Sequence, residues 1–213
     1  MTCLIENGLA PTITRREPED IKYVILHHSA TASGNVETFR RYHVDQLGYS
    51  DVGYHFIVCN GNGGSDGKLQ EGRPILITGA HAYGRNNDSI GVCLVGNFAK
   101  TMPTEAQMET LYTLLQKLVK RYSISPDHVL GHNEVCSTDC PGNLDVAAIR
   151  YNLSRPPVPK VRINGVDIDG VIIGNRLYAP IRETLEVINR SMGFNVEWDT
   201  NTRVAKITFG KGE

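Results

Sequence analysis

The chain has 213 residues, 40% of them hydrophobic and 21% charged, with a formal net charge of −1. That length holds one full-sized domain and a smaller one, and the composition is that of a folded protein rather than a disordered or fibrous one. A balance so close to neutrality excludes a general electrostatic pull on nucleic acid or an anionic membrane, and no apolar run nears the roughly 20 residues that span a bilayer.

Residues 1–20 mix Glu6, Asn7, Arg15, Arg16 and Glu17 with short apolar pieces. They contain no apolar stretch of the kind that makes a secretory signal, so synthesis in a cytoplasm is expected, whatever compartment the protein later acts in. The five cysteines are an odd number. Reduced thiols, one or more of them a metal ligand, are expected in preference to a disulfide framework.

Residues 21–26 form a short, β-branched apolar run that reads as a buried strand and ends in His27-His28. After a polar loop, Asn35 is placed to cap a helix over residues 36–47, on which Val36, Phe39, Tyr42 and His43 recur at helical spacing and Gly48 marks the end. Residues 53–58 read as a second strand and residues 68–73 as its return, joined by the Gly/Asn-rich turn at 60–67. The run Ile90-Gly91-Val92-Cys93-Leu94-Val95 is apolar throughout, as a central strand would be. Thr104 and Gln107 have capping-box spacing, and Met108, Leu111, Leu114, Leu115 and Leu118 form one stripe, so residues 104–122 are expected to be an amphipathic helix. Strands alternating with helices to about Arg150 indicate an α/β sheet domain over residues 1–153. Three prolines in the segment 154–160 make an extended linker. Residues 161–213 follow as a small α+β domain without His or Cys, made of short strands and a helix that opens at Ala179-Pro180.

The densest chemistry lies in Gly131-His132-Asn133-Glu134-Val135-Cys136-Ser137-Thr138-Asp139-Cys140-Pro141. An imidazole and a thiolate in one short stretch suit Zn²⁺, and the histidine pair at the end of the first strand could complete the set. Residue types alone leave His27 and His28 as alternatives, with Cys136 standing beside Cys140. Three protein ligands with one open position describe a catalytic rather than a structural zinc site.

Four separated motifs carry a resemblance. Leu26-His27-His28-Ser29-Ala30-Thr31, Asp51-Val52-Gly53-Tyr54-His55-Phe56, Asn87-Asp88-Ser89-Ile90-Gly91-Val92 and Gly131-His132-Asn133-Glu134 with Cys140-Pro141 resemble, in order, the zinc-dependent N-acetylmuramoyl-L-alanine amidases and the related peptidoglycan recognition proteins. The resemblance spans residues 21–149 and implies a mixed sheet with flanking helices. It further implies His27, His132 and Cys140 as zinc ligands and Tyr54 as a catalytic side chain. Thr138 stands where phage members of the family carry Lys, so a hydroxyl without charge would support the reaction. His81 is expected to line the substrate groove, and His55 and Glu134 to lie behind the reacting groups. The implied activity is hydrolysis of the amide between N-acetylmuramic acid and L-alanine of peptidoglycan, with phage endolysin the leading role. A bacterial autolysin or recycling amidase and a non-catalytic peptidoglycan-binding module are the alternatives. Tyr178-Ala179-Pro180-Ile181-Arg182 and Val196-Glu197-Trp198 resemble a small domain found at the N-terminus of some copper amine oxidases. With no histidine to bind copper, that domain is expected to target the cell wall.

Overall fold

The computed structural model describes residues 13–154 throughout and, beyond them, the backbone of six strands between Lys160 and Phe209. The chain divides into two compact units, Met1–Ser154 and Arg155–Glu213.

Elements of the first unit run β1 (Tyr23–His28), α1 (Val36–Asp45), β2 (Phe56–Val58), β3 (Leu69–Glu71), β4 (Ser89–Leu94), α2 (Glu105–Arg121), β5 (Val129–Gly131) and α3 (Val146–Ser154). The strands form one sheet in the order β3-β2-β4-β1-β5. β2, β4, β1 and β5 are parallel neighbours, while β3 returns antiparallel at the edge, so the sheet is mixed. Both faces are covered, which explains why β1 and β4 read as unbroken apolar runs rather than alternating ones.

The two faces are not equivalent. Val24 and Leu26 of β1 and Ile90, Val92 and Leu94 of β4 enter the larger core, beneath Leu111, Leu114, Leu115 and Leu118 of α2. On the opposite face Ile57, Cys93 and Val95 pack with Val36 and Phe39 of α1 and with Tyr54. This second core is thinner, and a groove opens on its side. Truncating a fully buried leucine such as Leu111 to Ala would cost about 2–5 kcal/mol.

Local sequence sets the helix starts. Asn35 Oδ1 accepts the Thr38 N–H at 2.9 Å, and Thr104 Oγ1 accepts the Gln107 N–H at 3.1 Å, each satisfying a donor that the first turn leaves open. Gln107 also reaches inward, where its Nε2 donates to the carbonyls of Val58 and Val95 at 3.1 and 2.9 Å. It thereby ties α2 to the ends of β2 and β4.

Three expectations need correction. The second strand begins at Phe56 rather than residue 53, because Gly53 donates to His43 Nδ1 and accepts from the Ala80 amide instead of joining a ladder. Helix α1 stops at Asp45, two residues short of the expected end. β5 and α3 have no counterpart in the sequence reading, since three- and nine-residue elements carry too little periodicity to stand out.

Beyond Ser154 the backbone shows three antiparallel strand pairs. These are β6 (Lys160–Ile163) with β7 (Val166–Asp169), β8 (Val171–Ile173) with β9 (Arg176–Tyr178), and β10 (Phe194–Asp199) with β11 (Val204–Phe209). The expected helix from residue 179 and the prolines of the linker lie outside the described residues. Among the described residues, no helix is long and apolar enough to cross a membrane.

Candidate metal centre and groove

β1 and β5 are parallel neighbours with Leu26 opposite Gly131. Their carboxyl ends therefore deliver His27 and His132 side by side, at the edge where parallel sheets place their sites. The two imidazole centroids are 4.4 Å apart. Cys140 arrives from the loop after His132, its Sγ 3.7 Å from His27 Nδ1. One donor atom each from His27, His132 and Cys140 lies within 4.8 Å of the others, and this is a group among the described residues that could hold a metal ion.

The choice between His27 and His28 follows from strand alternation combined with the two unequal faces. His28 shares the Val24 and Leu26 side, where its Nδ1 accepts the Phe98 N–H at 3.0 Å and its ring packs near Phe98. His27 shares the Ile25 side and turns toward the groove, with its ring centroid 5.2 Å from that of Tyr54. The second candidate thiol is also removed. Cys136 is disulfide-bonded, which corrects the expectation of uniformly reduced thiols, while Cys59, Cys93 and Cys140 are free.

The donor set fits a zinc-like cation. His132 Nε2 is buried without a hydrogen-bond partner, an arrangement that costs stability unless a lone pair is used. Burial holds His27 well below the ordinary histidine range, and neighbouring imidazoles add to that effect. Burial likewise lowers His132, to about 4, with His28 contributing. Both rings are therefore neutral at pH 7, the form that ligates a metal. Burial pushes the Cys140 thiol up to about 12, opposed by the bond from the His28 N–H to its sulfur at 3.4 Å. A bound cation would favour its thiolate further.

Tyr54 stands beside this cluster. Burial, with Cys93 and Cys140 close by, holds its phenol well above 10, so it remains a protonated donor. Its ring also approaches His43, at 5.5 Å between centroids. Thr138 Oγ1 accepts the Cys140 N–H at 3.3 Å, which puts a hydroxyl on the loop that presents the thiol. Glu134 directs its carboxylate to partners other than the ligand imidazoles. Its carboxylate accepts the Gly131 N–H at 2.6 Å and pairs with Arg150 at 2.8 Å, bracing the turn that carries His132.

A groove of about 610 Å³ is lined by Ser29, Thr31, Phe39, Tyr42, His43 and Tyr54, among others. His81 is not on it. Its side chain is fully buried behind His27, with Nδ1 3.1 Å from His27 Nε2, so the expected groove contact is corrected. His55 is equally buried; its Nδ1 accepts the Gly91 N–H and its Nε2 lies 3.0 Å from the Ile77 carbonyl.

Two residues of consequence escaped the sequence reading. Arg16 is 5% exposed and sends its guanidinium to the carbonyls of Ile75, Asn86, Asn87 and Ser89, at 2.7–3.3 Å. It fixes both ends of the loop that holds His81. Burial, partly offset by Asp88, lowers it to about 10, so it remains a cation. His43 lines the groove from α1, and its place in an apolar helical stripe was the available signal.

Comparison with known proteins follows the same residues. The family of N-acetylmuramoyl-L-alanine amidases matches residues 17–143. A peptidoglycan recognition protein of Trichoplusia ni is 34% identical over 145 residues, which are 64% of this chain and 77% of that protein. The endolysin N-acetylmuramoyl-L-alanine amidase LysCS from Clostridium intestinale superposes with a TM-score of 0.59 at 29% identity, covering 66% of this chain and 88% of that one. A Drosophila PGRP-LB mutant in complex with tracheal cytotoxin gives a TM-score of 0.55 at 27% identity, covering 66% of this chain and 86% of that one.

Proposed function

The chain belongs to the N-acetylmuramoyl-L-alanine amidase family, and from that premise we propose that it is a zinc-dependent peptidoglycan hydrolase that cuts between N-acetylmuramic acid and the L-alanine of the stem peptide. The observation that carries this reading is the convergence of His27, His132 and Cys140 near Tyr54, a residue that also lines the groove. A zinc ion held there would supply Lewis-acid polarisation of the scissile carbonyl and activation of a water near neutral pH.

The protein's own groups account for the rest. Tyr54, kept protonated by its surroundings, donates a hydrogen bond to the carbonyl oxygen as negative charge develops on it. Thr138 adds a second, uncharged hydroxyl on the loop of Cys140. The groove combines hydroxyls (Ser29, Thr31) with aromatic side chains (Phe39, Tyr42), a lining suited to a substrate that is part sugar and part peptide.

The lytic, endolysin role is supported by the likeness to LysCS. The Cys136 disulfide suits a protein that acts outside a reducing cytoplasm. The unit Arg155–Glu213 is read as a wall-targeting appendage. Binding without cleavage is the second reading, favoured by the recognition proteins among the relatives.

One assay separates the two. Purified protein is incubated with peptidoglycan, with and without a chelator, and new L-alanine N-termini are counted. The proposed enzyme generates them only while metal is retained. Retention on peptidoglycan with no new N-termini from metal-loaded protein would establish the binding module instead.

A further inference from the structure

His81 does not contact the groove, yet it touches a proposed ligand. Its imidazole is fully buried, and the polar partner its ring has is His27, whose Nε2 lies 3.1 Å from His81 Nδ1. His81 Nε2 has no hydrogen-bond partner, so the ring is not there to satisfy a polar core. An aromatic or branched hydrocarbon would fill the space at less cost.

The surroundings are shaped around this ring. A Cβ at Gly79 would lie 2.4 Å from His81 Cδ2, and one at Gly91 would lie 2.5 Å from both Cδ2 and Cγ. Gly91 belongs to β4, in register with Ile25 of β1, so a central strand gives up a side chain beside His81. The main chain is held as well, because Asn86 Oδ1 accepts the N–H groups of His81 and Ala82 at 2.8 and 3.0 Å.

We propose that His81 is a positioning residue for the metal centre: its Nδ1 accepts the proton of His27 Nε2, which leaves the Nδ1 lone pair of His27 facing His132 and Cys140. A neutral imidazole carries one proton, so fixing it on Nε2 decides which nitrogen can ligate. Metal-binding histidines are oriented in this manner by an acceptor behind them, more often a carboxylate or carbonyl. Here the acceptor is a second imidazole, which adds no negative charge to the site. The inference rests on the zinc reading of His27, His132 and Cys140.

The test uses the full chain as wild type, His81→Phe and His81→Asn, with zinc affinity measured by competition against a chromogenic chelator. Phe keeps the ring volume without an acceptor, whereas the Asn Oδ1 can stand in for Nδ1. His81→Phe is expected to weaken zinc binding about 10–100-fold, and His81→Asn to recover most of that loss. Equal affinity for wild type and His81→Phe, or equal losses in both variants, would overturn the assignment. Should His81→Phe fail to fold, the histidine tautomers of zinc-free wild type decide, read from long-range ¹H–¹⁵N NMR correlations. A proton on Nε2 of His27 and an unprotonated Nδ1 on His81 are expected; a proton on Nδ1 of His27 overturns the assignment. A wild type that takes up no zinc would instead bring down the underlying metal reading, which the chelator titration shows by itself.

Discussion

Tyr54 contributes a hydroxyl that burial keeps protonated, next to the ligand cluster but not part of it. Tyr54→Phe is therefore expected to lower kcat about 100-fold while zinc content and melting temperature stay near wild type; an unchanged kcat would remove Tyr54 from the reaction. A second residue-scale expectation concerns acid. Burial, with Arg73 nearby, lowers His43 to about 4, and burial, with Arg16 nearby, lowers His55 to about 3. Unfolded, both titrate near 6.5. Above that pH neither state binds the proton and nothing is lost. As pH falls from about 6.5 toward about 4, the unfolded chain gains protons that the fold refuses, so each histidine removes about 1.4 kcal/mol per pH unit. The melting temperature of zinc-free protein should fall steeply over that window, and a flat profile would contradict the neutral assignments. At this scale the sequence was only partly readable. The residue types at 27, 28, 132, 136 and 140 announced a metal site, but which histidine faces it depends on which side of β1 the helix α2 covers, a long-range fact. His81 was legible as chemistry and misplaced in space, because burial of a loop residue depends on Arg16 and Asn86, and Arg16 is about 60 residues or more distant from most of the carbonyls it binds.

Elements carry the site by their pairing. Parallel β1 and β5 bring residues more than a hundred positions apart to one edge, and no periodicity could announce a three-residue strand such as β5. Helix α2 was readable to within a residue, because its stripe and its capping box agree. The capping box hid a second duty, since Gln107 Nε2 also satisfies the carbonyls of Val58 and Val95 inside the fold. Gln107→Glu keeps the cap acceptor but replaces two donated bonds with a carboxylate facing two carbonyl oxygens. A loss of at least about 2 kcal/mol is expected in urea denaturation. Stability equal to wild type would mean that those inner bonds contribute little.

For the whole molecule, the sheet domain and a second compact unit are separate, and under the proposed function cutting belongs to the first and holding the wall to the second. Ending the chain after Ser154 should leave cleavage of a small soluble muropeptide within about two-fold of wild type while retention on whole cell walls falls at least ten-fold. Undiminished wall retention would make Arg155–Glu213 a passive appendage. Composition already argued against a nucleic-acid or membrane-spanning protein, and the motif order indicated the family. The disulfide at Cys136 lay beyond reach, because pairing depends on positions in space. Everything proposed turns on whether His27, His132 and Cys140 hold a metal together. Zinc K-edge X-ray absorption of the full chain at one equivalent of zinc tests that most directly. The account predicts a single bound zinc with one sulfur and two imidazole shells, the sulfur shell vanishing in Cys140→Ala. A zinc with no sulfur neighbour, or a sulfur shell that survives that substitution, would contradict it.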